Sequence, residues 1–319
     1  MYAVIAIHRK DLDLRYIIGV DGGATKTEAV AYSLADQELA VGYAGFGNLS
    51  LDFDQAVKNI INAIQQCINS LEEQEGQGDC LCIYLGIAGI EVGDNLEKVE
   101  TFLKEKFACK VQGFHDTELA YEAILKGEDG IITISGTGSV SYGLYKGKKA
   151  RTGGWGHILG DEGSGYAIAL AAFKRMTLEE DSGWVRSELT QTIMGKLNSD
   201  QVSDIRGFIY SASKGEIAAF APIVAELAKS AEINSLNILK QAGKELAMMT
   251  ERLYKKLGIN ESINIGVSGS ILSKVDIVRE EFKSCLERDL ESVHIIADDI
   301  SATKGACYLH SRIIEQGKY

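Results

Sequence analysis

Two glycine-containing turns, each between two runs of β-prone residues, are the parts of this sequence best suited to chemistry. The first follows Asp21 in the stretch IIGVDGGATKTEAV at 17–30, and the second interrupts IITISGTGSV at 131–140. Glycine lets backbone N–H groups approach a phosphate closely, and hydroxyl side chains add further donors. The candidate phosphate ligands are the turn residues Gly22, Gly23, Thr25, Lys26, Thr27, Gly136, Thr137 and Gly138. Two such turns in one chain predict a nucleotide site.

Neither turn matches the familiar phosphate-loop patterns. The Walker loop, G-x-x-x-x-G-K-[ST], and the dinucleotide fingerprint, G-x-G-x-x-G, both open a helix. After Gly23 the chain returns to alternating β-prone residues, which predicts that the turn joins two antiparallel strands. A single Gly-Gly or Gly-Thr-Gly is most often only a tight turn, so the prediction depends on the further motifs that follow in order.

Two aspartates each follow an apolar, strand-like run. Asp21 is suited to hold hydrated Mg²⁺, a hard cation that prefers oxygen ligands, although an aspartate here could simply open a β-turn. Asp116 ends VQGFHD and directly precedes the helical pattern TELAYEAIL. It could orient a hydroxyl group and accept its proton, or it could serve as the helix N-cap. The residues alone leave both roles of Asp116 open.

The motifs, taken in order, resemble the sugar-kinase, actin and heat-shock ATPase superfamily. Within it the chain is similar to the N-acetylglucosamine kinase branch of the BadF/BadG/BcrA/BcrD ATPase family. The most specific segments are ISGTGS at 134–139 and GGWGHILGDEGS at 153–164, and weaker ones are GIAG at 86–89 and GVSGS at 266–270. The resemblance runs from about Ile17 to Leu309. It implies an α/β fold with two ribonuclease H-like (actin-like ATPase) domains around a central cleft.

The resemblance also implies an activity, ATP-dependent phosphorylation of the 6-hydroxyl of an amino sugar. N-acetylglucosamine is the first expectation, and glucosamine and N-acetylmuramic acid are alternatives. ATP and Mg²⁺ are the implied cofactors, and Asp116 is the implied general base. The implied substrate ligands are Asn48, Asp116, Gly154, Trp155 and Asp161, and Gly269 is expected near the adenosine. The sequence does not decide whether His157 and Glu162 contact the substrate.

Three rival functions are less well supported by the sequence. Activator ATPases of CoA-ester reductases and dehydratases hold an iron–sulfur cluster through cysteines after the second phosphate loop, and this chain has no cysteine from 110 to 284. Repressor-related sugar kinases carry a C-x-C-G-x-x-G-C zinc signature that is missing here. A sugar sensor without catalysis is the third rival, but both aspartates and both turns are present.

Composition narrows the class further. The chain has 319 residues, 45% hydrophobic content and a net charge of −12, which argues against nucleic acid as a partner. The six cysteines show no zinc spacing and are expected to be reduced thiols of a cytoplasmic protein. Cys80 and Cys82 are expected on one face of a strand. No apolar run approaches the roughly 18 residues of a membrane span. Relatives are often dimers, which leaves a homodimer open.

The order of predicted strands and helices divides the chain into two halves. Residues 1–16 are an extension to which no role is assigned, and 17–126 form an N-terminal ATPase-fold domain. Residues 127–302 form a second such domain with a helical insert, because the strand-and-turn pattern restarts at Ile131. The final helix, within 303–319, is expected by resemblance to return to the first domain. Helices are predicted at 54–72, 95–107 and 117–126.

Overall fold

The computed structural model describes residues 14–290, 292–298 and 300–315. Contacts divide the chain into two compact units, one made by residues up to Ala123 and from Ser301 on, the other by Ile124–Ile300. The sequence placed the boundaries after 126 and after 302, and these domain boundaries stay a prediction. Residues 1–13 of the predicted extension, and 316–319 of the final segment, lie outside the described residues.

In the described ranges, runs of one to three strands are followed by runs of one or more helices. The strands are β1 (Leu14–Gly22), β2 (Thr27–Ser33), β3 (Glu38–Ala44), β4 (Gly78–Ile87), β5 (Lys110–Phe114), β6 (Gly130–Ser135), β7 (Ser139–Tyr145), β8 (Lys148–Gly153), β9 (Ile263–Ser268) and β10 (Val293–Ile296). The helices are α1 (Phe53–Glu75), α2 (Asn95–Phe107), α3 (Asp116–Leu125), α4 (Gly165–Asp181), α5 (Glu188–Leu197), α6 (Ile205–Ser211), α7 (Lys214–Ala218), α8 (Ala221–Lys229), α9 (Ile233–Leu257), α10 (Ser270–Lys274), α11 (Asp276–Asp289) and α12 (Gly305–Glu315).

The first unit is built on a five-stranded sheet with the order β3-β2-β1-β4-β5. The pairs β1–β2 and β2–β3 are antiparallel, whereas β1–β4 and β4–β5 are parallel. The two antiparallel pairs are hairpins, as the glycine turn after β1 predicted. The parallel pairs need helical crossovers, which α1 and α2 provide. The turn after β1 and the residues after β5 therefore lie at the same end of the sheet.

Apolar side chains cover both faces of this sheet. On one face the amphipathic helix α1 buries Ile60 and Ile64 completely, and each such side chain stabilises the unit by about 2 kcal/mol. On the other face α12 contributes Leu309 to a cluster with Ile17 and Tyr84. A 3₁₀ turn, Ala302–Lys304, leads into α12 and passes directly over β1. A Cβ at Gly19 would lie 2.1 Å from a backbone oxygen there, so only glycine fits.

The expectation that Cys80 and Cys82 share a face of their strand is wrong. Tyr16 pairs with Cys80, but the next residue of β1, Ile17, pairs with Cys82, so Leu81 is an extra residue in β4. This irregularity shifts the alternation by one position. Cys82 consequently packs in the cluster of Ile17, whereas Cys80 packs against the cluster of Tyr16 on the opposite face.

The second unit repeats the sheet of the first. Its strand order is β10-β9-β6-β7-β8, which is the same order read in the opposite direction. The pairs β6–β7 and β7–β8 are antiparallel, and β6–β9 and β9–β10 are parallel, so the strand directions also correspond. Both glycine turns thus occupy equivalent places, between the first and second strand of their units.

The helical insert lies between β8 and β9 and comprises α4 to α9. Ser164 caps α4 by accepting a hydrogen bond from the N–H of Ala167. The long helix α9 buries one stripe of side chains, including Leu239, Leu246 and Leu253, in the core of the unit. Within the described ranges, no helix has the length and apolar character needed to cross a membrane.

Candidate active site

The first glycine turn closes the β1–β2 hairpin of the first unit. The N–H of Gly23 donates to the carbonyl of Lys26 at 3.0 Å, and Thr25 and Lys26 are exposed. A Cβ added at Gly23 would meet no atom within 4 Å. The backbone of this turn therefore faces open space, where a ligand can approach it closely.

A loop between β3 and α1 is fixed against this turn. The carbonyl of Gly23 accepts hydrogen bonds from the N–H groups of Gly47 (2.9 Å) and Asn48 (3.1 Å). Gly47 lies so near that a Cβ on it would be 2.7 Å from the Cα of Gly22. Glycine at position 47 is thus a requirement of backbone packing, whether or not a ligand is bound.

Thr27 serves the same contact between loop and hairpin. Its side chain is fully buried, and its hydroxyl donates to the carbonyl of Gly45 at 2.8 Å. The sequence predicted Thr27 as a phosphate ligand. The hydroxyl of Thr27 already donates a hydrogen bond within the unit, so its contact with phosphate stays a prediction. The exposed side chains of Thr25 and Lys26 are better placed to reach a phosphate.

The Nδ2 group of the Asn48 side chain is available to a ligand. Its Oδ1 accepts a hydrogen bond from the N–H of Ser50 at 2.9 Å, which is an Asx turn. Among the described residues its Nδ2 has no hydrogen-bond partner. The side chain is partly exposed. It can therefore donate hydrogen bonds to a polar ligand without giving up its structural contact.

Asp21 lies at the end of β1, in a strongly acidic environment. Burial, as the largest cause, and the negative charges of Asp116 and Glu28 together raise the pKa of its carboxyl group from 3.8 to about 7, while Lys26 opposes them. The proximity of Asp21 and Asp116 is a property of the first unit alone. A cation beside Asp21 would offset this repulsion, so the residue fits the magnesium role.

Asp116 is the first residue of α3 and does not act as its N-cap. The carbonyl of His115 instead accepts the hydrogen bond of the N–H of Leu119. Oδ1 of Asp116 accepts from the N–H of Thr117 at 2.7 Å and lies 2.6 Å from Nδ1 of His115. Oδ2 has no partner in the part of the chain that the structure describes. One oxygen thus fixes the carboxylate and the other is available to accept a proton.

The second glycine turn closes the β6–β7 hairpin of the second unit. The N–H of Gly136 donates to the carbonyl of Gly138 at 2.9 Å, and the carbonyl of Gly136 accepts from Gly165 at 2.8 Å. The hydroxyl of Ser135 donates to the carbonyl of Gly163 at 2.9 Å. The turn is therefore tied to the first residues of α4. Thr137, at its tip, is partly exposed.

Asp161 is buried beside this turn, with both carboxylate oxygens in contact with protein groups. Oδ1 accepts from the N–H of Ser139 at 3.1 Å, and Oδ2 lies 2.6 Å from Nζ of Lys214. The side chain is only 3% exposed. The sequence predicted that Asp161 binds a sugar hydroxyl, and this contact stays a prediction. A sugar hydroxyl would share one of these oxygens with its present partner or replace Lys214 there.

The loop from 154 to 163 presents apolar side chains to solvent. Gly154 has φ +70°, a conformation that favours glycine, and Trp155 next to it is 69% exposed. Trp155 is therefore free to contact a ligand. His157 stacks edge-on against Tyr166, with the ring centres 4.9 Å apart. His157 and Glu162 line a cavity of about 450 Å³ between the loop, α4 and α9.

Gly269, in the motif GVSGS at 266–270, lies against the second glycine turn. Its φ is +85°, and a Cβ there would lie 2.4 Å from the carbonyl oxygen of Ser135, so only glycine fits. A cavity of about 170 Å³ lies beside this contact. Residues that line it include Gly136, Thr137, Gly215, Ala218, Pro222 and Ser270. The predicted nucleotide ligands Gly136 and Thr137 thus share a cavity with residues of the helical insert.

Among the described residues no group of three or more His, Cys, Asp or Glu side chains is arranged to hold a metal ion. A magnesium ion bound by Asp21 alone would depend on water and ligand oxygens for its other positions, as Mg²⁺ commonly does.

Three residues with evident roles were not found by sequence reasoning. His115 holds Asp116, Lys214 holds Asp161, and Gly47 supports the first turn. The HD pair before α3 was a visible signal for His115. Lys214 is 53 positions beyond Asp161 in the sequence, and no local pattern connects the two.

The repeated mixed sheet, with a glycine hairpin in each copy, defines the class of protein. Two five-stranded sheets of this kind form the fold of the actin-like ATPases. A solved structure of a candidate N-acetylglucosamine kinase from Chromobacterium violaceum has the same fold, with a TM-score of 0.77. The comparison covers 93% of this chain and 99% of that one at 22% sequence identity.

The chain belongs to the BadF/BadG/BcrA/BcrD ATPase family, whose sequence model matches residues 18–307. It is 30% identical over 300 residues to the N-acetylmuramic acid/N-acetylglucosamine kinase of Clostridium acetobutylicum, covering 92% of this chain and 97% of the relative. It is 26% identical over 309 residues to the N-acetyl-D-glucosamine kinase of Dictyostelium discoideum, covering 92% and 96%. The sequence-based family assignment is therefore confirmed.

Proposed function

We propose that this protein transfers the γ-phosphoryl group of ATP to the 6-hydroxyl of an amino sugar, with N-acetylglucosamine as the first candidate. The observation that carries this proposal is the carboxylate of Asp116. One of its oxygens is fixed by Thr117 and His115, and the other has no partner among the described residues. The kinase names of the two sequence relatives agree with this reading.

In the proposed reaction Asp116 is the general base. The sugar oxygen attacks the γ-phosphorus, the bond from that phosphorus to the bridging oxygen of ADP breaks, and the hydroxyl proton passes to Oδ2 of Asp116. A sugar hydroxyl has a pKa far above 7, so an orienting carboxylate is useful only as the new bond forms. The remaining requirement is to hold the reacting groups in line and to stabilise the phosphate charge.

For ATP we assign the backbone of both glycine turns, together with Thr25, Lys26 and Gly269. The support is local: Gly23 faces open space, and Gly136 and Thr137 line a cavity with the residue after Gly269. Asp21 is the proposed magnesium ligand, because a cation would offset its repulsion with Asp116 and Glu28. When bound, Mg²⁺ would neutralise charge on the phosphates.

For the sugar we assign Asn48, Gly154, Trp155 and Asp161. Asn48 has an Nδ2 amide without a partner in the described chain, and Trp155 offers an exposed aromatic face. Asp161 joins the site by sharing or exchanging its contact with Lys214. Glucosamine and N-acetylmuramic acid are the alternative substrates, because they differ from N-acetylglucosamine at positions that only a few pocket side chains would contact. We further propose a cytoplasmic location and leave a homodimer as the oligomer to test.

The activator ATPase of a CoA-ester dehydratase or reductase is the alternative function. It would need cysteine ligands for an iron–sulfur cluster, and the sequence has no cysteine between 110 and 284. A colourless, iron-free preparation is expected.

A coupled assay of ADP release over a panel of sugars tests the proposal. N-acetylglucosamine, glucosamine, N-acetylmuramic acid and glucose would be compared, with 6-deoxy-N-acetylglucosamine as the matched control. We expect ADP release with at least one amino sugar, no release with the 6-deoxy compound, and a phosphate ester at O6 by ³¹P NMR. Folded protein that releases no ADP with any of these sugars would overturn the proposal.

A further inference from the structure

The contact between Lys214 and Asp161 lies directly against the second glycine turn. A Cβ added at Gly138 would be 2.7 Å from Nζ of Lys214 and 2.8 Å from Oδ1 of Asp161. The glycine thus leaves just enough room for the ion pair. All three residues belong to the second unit.

Lys214 begins α7 on a rigid base. The hydroxyl of Ser213 accepts from the N–H of Glu216 and the carboxylate of Glu216 accepts from the N–H of Ser213, which forms a capping box. The Lys214 side chain itself is 30% exposed, whereas that of Asp161 is 4% exposed. A flexible four-carbon stem on a fixed backbone can move its ammonium group while the buried carboxylate stays in place.

The residue after Lys214 already belongs to the cavity beside the turn. Gly215 and Ala218 line the 170 Å³ cavity together with Gly136 and Thr137. The side chain of Lys214 thus contacts the buried carboxylate of Asp161, while the next residue of the chain lines the space where we assign the nucleotide. Phosphate oxygens form strong charge-assisted hydrogen bonds with ammonium groups and compete with a single carboxylate for them.

Asp161 would not be left without a partner if Lys214 moved. The N–H of Ser139 still donates to its Oδ1 at 3.1 Å. Oδ2, whose one contact within the described ranges is Nζ of Lys214, would become available as an acceptor. A sugar hydroxyl is a donor of the right kind for that oxygen.

From these contacts we infer that Lys214 is a ligand of the nucleotide phosphates, and that Asp161 holds it until the nucleotide binds. This inference rests on the proposed function. Binding of the nucleotide then releases Oδ2 of Asp161 for the sugar, so each ligand strengthens the binding of the other. The coupling is reciprocal, as linkage requires.

Calorimetric titration of ADP and of adenosine with Mg²⁺ present tests the phosphate contact. We expect Lys214→Met to lose roughly 10- to 100-fold in ADP affinity, the effect of one hydrogen bond between charged groups, and less than about twofold in adenosine affinity. Lys214→Arg should keep most of the ADP affinity. Lys229→Met, which removes an exposed lysine paired with Glu226, is the matched control. Equal losses for ADP and adenosine would overturn the inference.

A double-mutant cycle with Asp161→Asn tests the exchange. Removal of the competing carboxylate should tighten ADP binding several-fold when Lys214 is present, and much less in the Lys214→Met background. An equal gain in ADP affinity from Asp161→Asn in both backgrounds would show that Lys214 does not move from Asp161 to the phosphates. The double variant also carries no uncompensated buried charge, so it stays foldable if Lys214→Met alone does not. Sugar-stimulated ADP release by the wild-type protein tests the proposed function separately, since it does not depend on which lysine binds phosphate.

Discussion

Nδ1 of His115 lies 2.6 Å from Oδ1 of Asp116. On the other side of the same ring, Nε2 lies 3.1 Å from Oε1 of Glu91. The imidazole therefore lies between two carboxylates, and its Nδ1 also lies 2.7 Å from the hydroxyl of Thr117. The N–H of Thr117 donates to Oδ1 of Asp116, so His115 and Thr117 together surround this oxygen. The proposed base is thus held by a side chain that can itself be changed without touching the reacting atoms.

Replacement of Asp116 by asparagine should abolish most of the turnover and preserve ATP binding. The amide keeps the shape of the side chain but cannot accept the hydroxyl proton, so we expect kcat to fall by roughly 100- to 10,000-fold. The measurement is steady-state ADP release together with calorimetric ATP binding. Asp276→Asn changes another aspartate at the first position of a helix and should have wild-type kcat. Near wild-type turnover in Asp116→Asn would remove Asp116 from the base role.

His115→Gln should lower kcat and leave the KM for ATP nearly unchanged. Glutamine loses the paired contacts with Asp116 and Glu91, so the base samples unproductive orientations, at a cost of roughly 10- to 100-fold in kcat. Glu91→Gln, which leaves the direct contact with Asp116 intact, should have a smaller effect. The split between kcat and KM is read from full saturation curves. Wild-type kcat in His115→Gln would show that Thr117 alone suffices.

Gly23→Ala separates the packing of the first turn from ligand binding. The added methyl group meets no protein atom within 4 Å, so thermal stability should be unchanged. If phosphate approaches this backbone, the methyl group blocks it, and the KM for ATP should rise at least roughly tenfold. Gly195→Ala, also in open space but in α5, is the control. An unchanged KM for ATP would argue that phosphate does not contact the first turn here.

The metal-free protein should become less stable as the pH rises from about 4 to 7. Native Asp21 keeps its proton up to about pH 7, whereas the unfolded carboxyl group loses it near pH 4. The native state binds more protons in this window, so the free energy of unfolding falls with rising pH. Because Asp21 is partly exposed, we expect a loss on the order of 1 to 3 kcal/mol. Urea unfolding of the wild type and of Asp21→Asn at several pH values isolates the contribution of Asp21 to the free energy of unfolding. Parallel pH profiles for both proteins would contradict the prediction.

Trp155→Ala should weaken sugar binding without affecting stability. Its side chain is 69% exposed, so its loss leaves no cavity, while loss of an aromatic surface should raise the sugar KM roughly three- to tenfold. The chain has two tryptophans, and Trp184→Phe leaves Trp155 as the single reporter of sugar binding by fluorescence. No fluorescence change at saturating sugar, with normal turnover, would place Trp155 outside the sugar site.

The sequence was most informative where the signal is local. The return to alternation after Gly23 identified a hairpin, and the spacing of Ile60 and Ile64 identified α1. It failed at the pair Cys80 and Cys82, because an extra residue in a strand changes the alternation without a sign in the sequence. The start of α3 was placed within one residue, but the role of Asp116 there needed the contacts of His115.

The sequence by itself determined the hairpin turns and the coarse order of strands and helices, because turn residues and hydrophobic periodicity act over a few neighbouring positions. The family followed from the resemblance of the ordered motifs. Only the tertiary structure decided which oxygens and nitrogens are available. The hydroxyl of Thr27 donates a hydrogen bond to the carbonyl of Gly45. The carboxylate of Asp161 contacts the ammonium group of Lys214, which is distant in the sequence. A hydrogen bond depends on distance in space, and residues far apart in sequence come within 3 Å only when the chain folds.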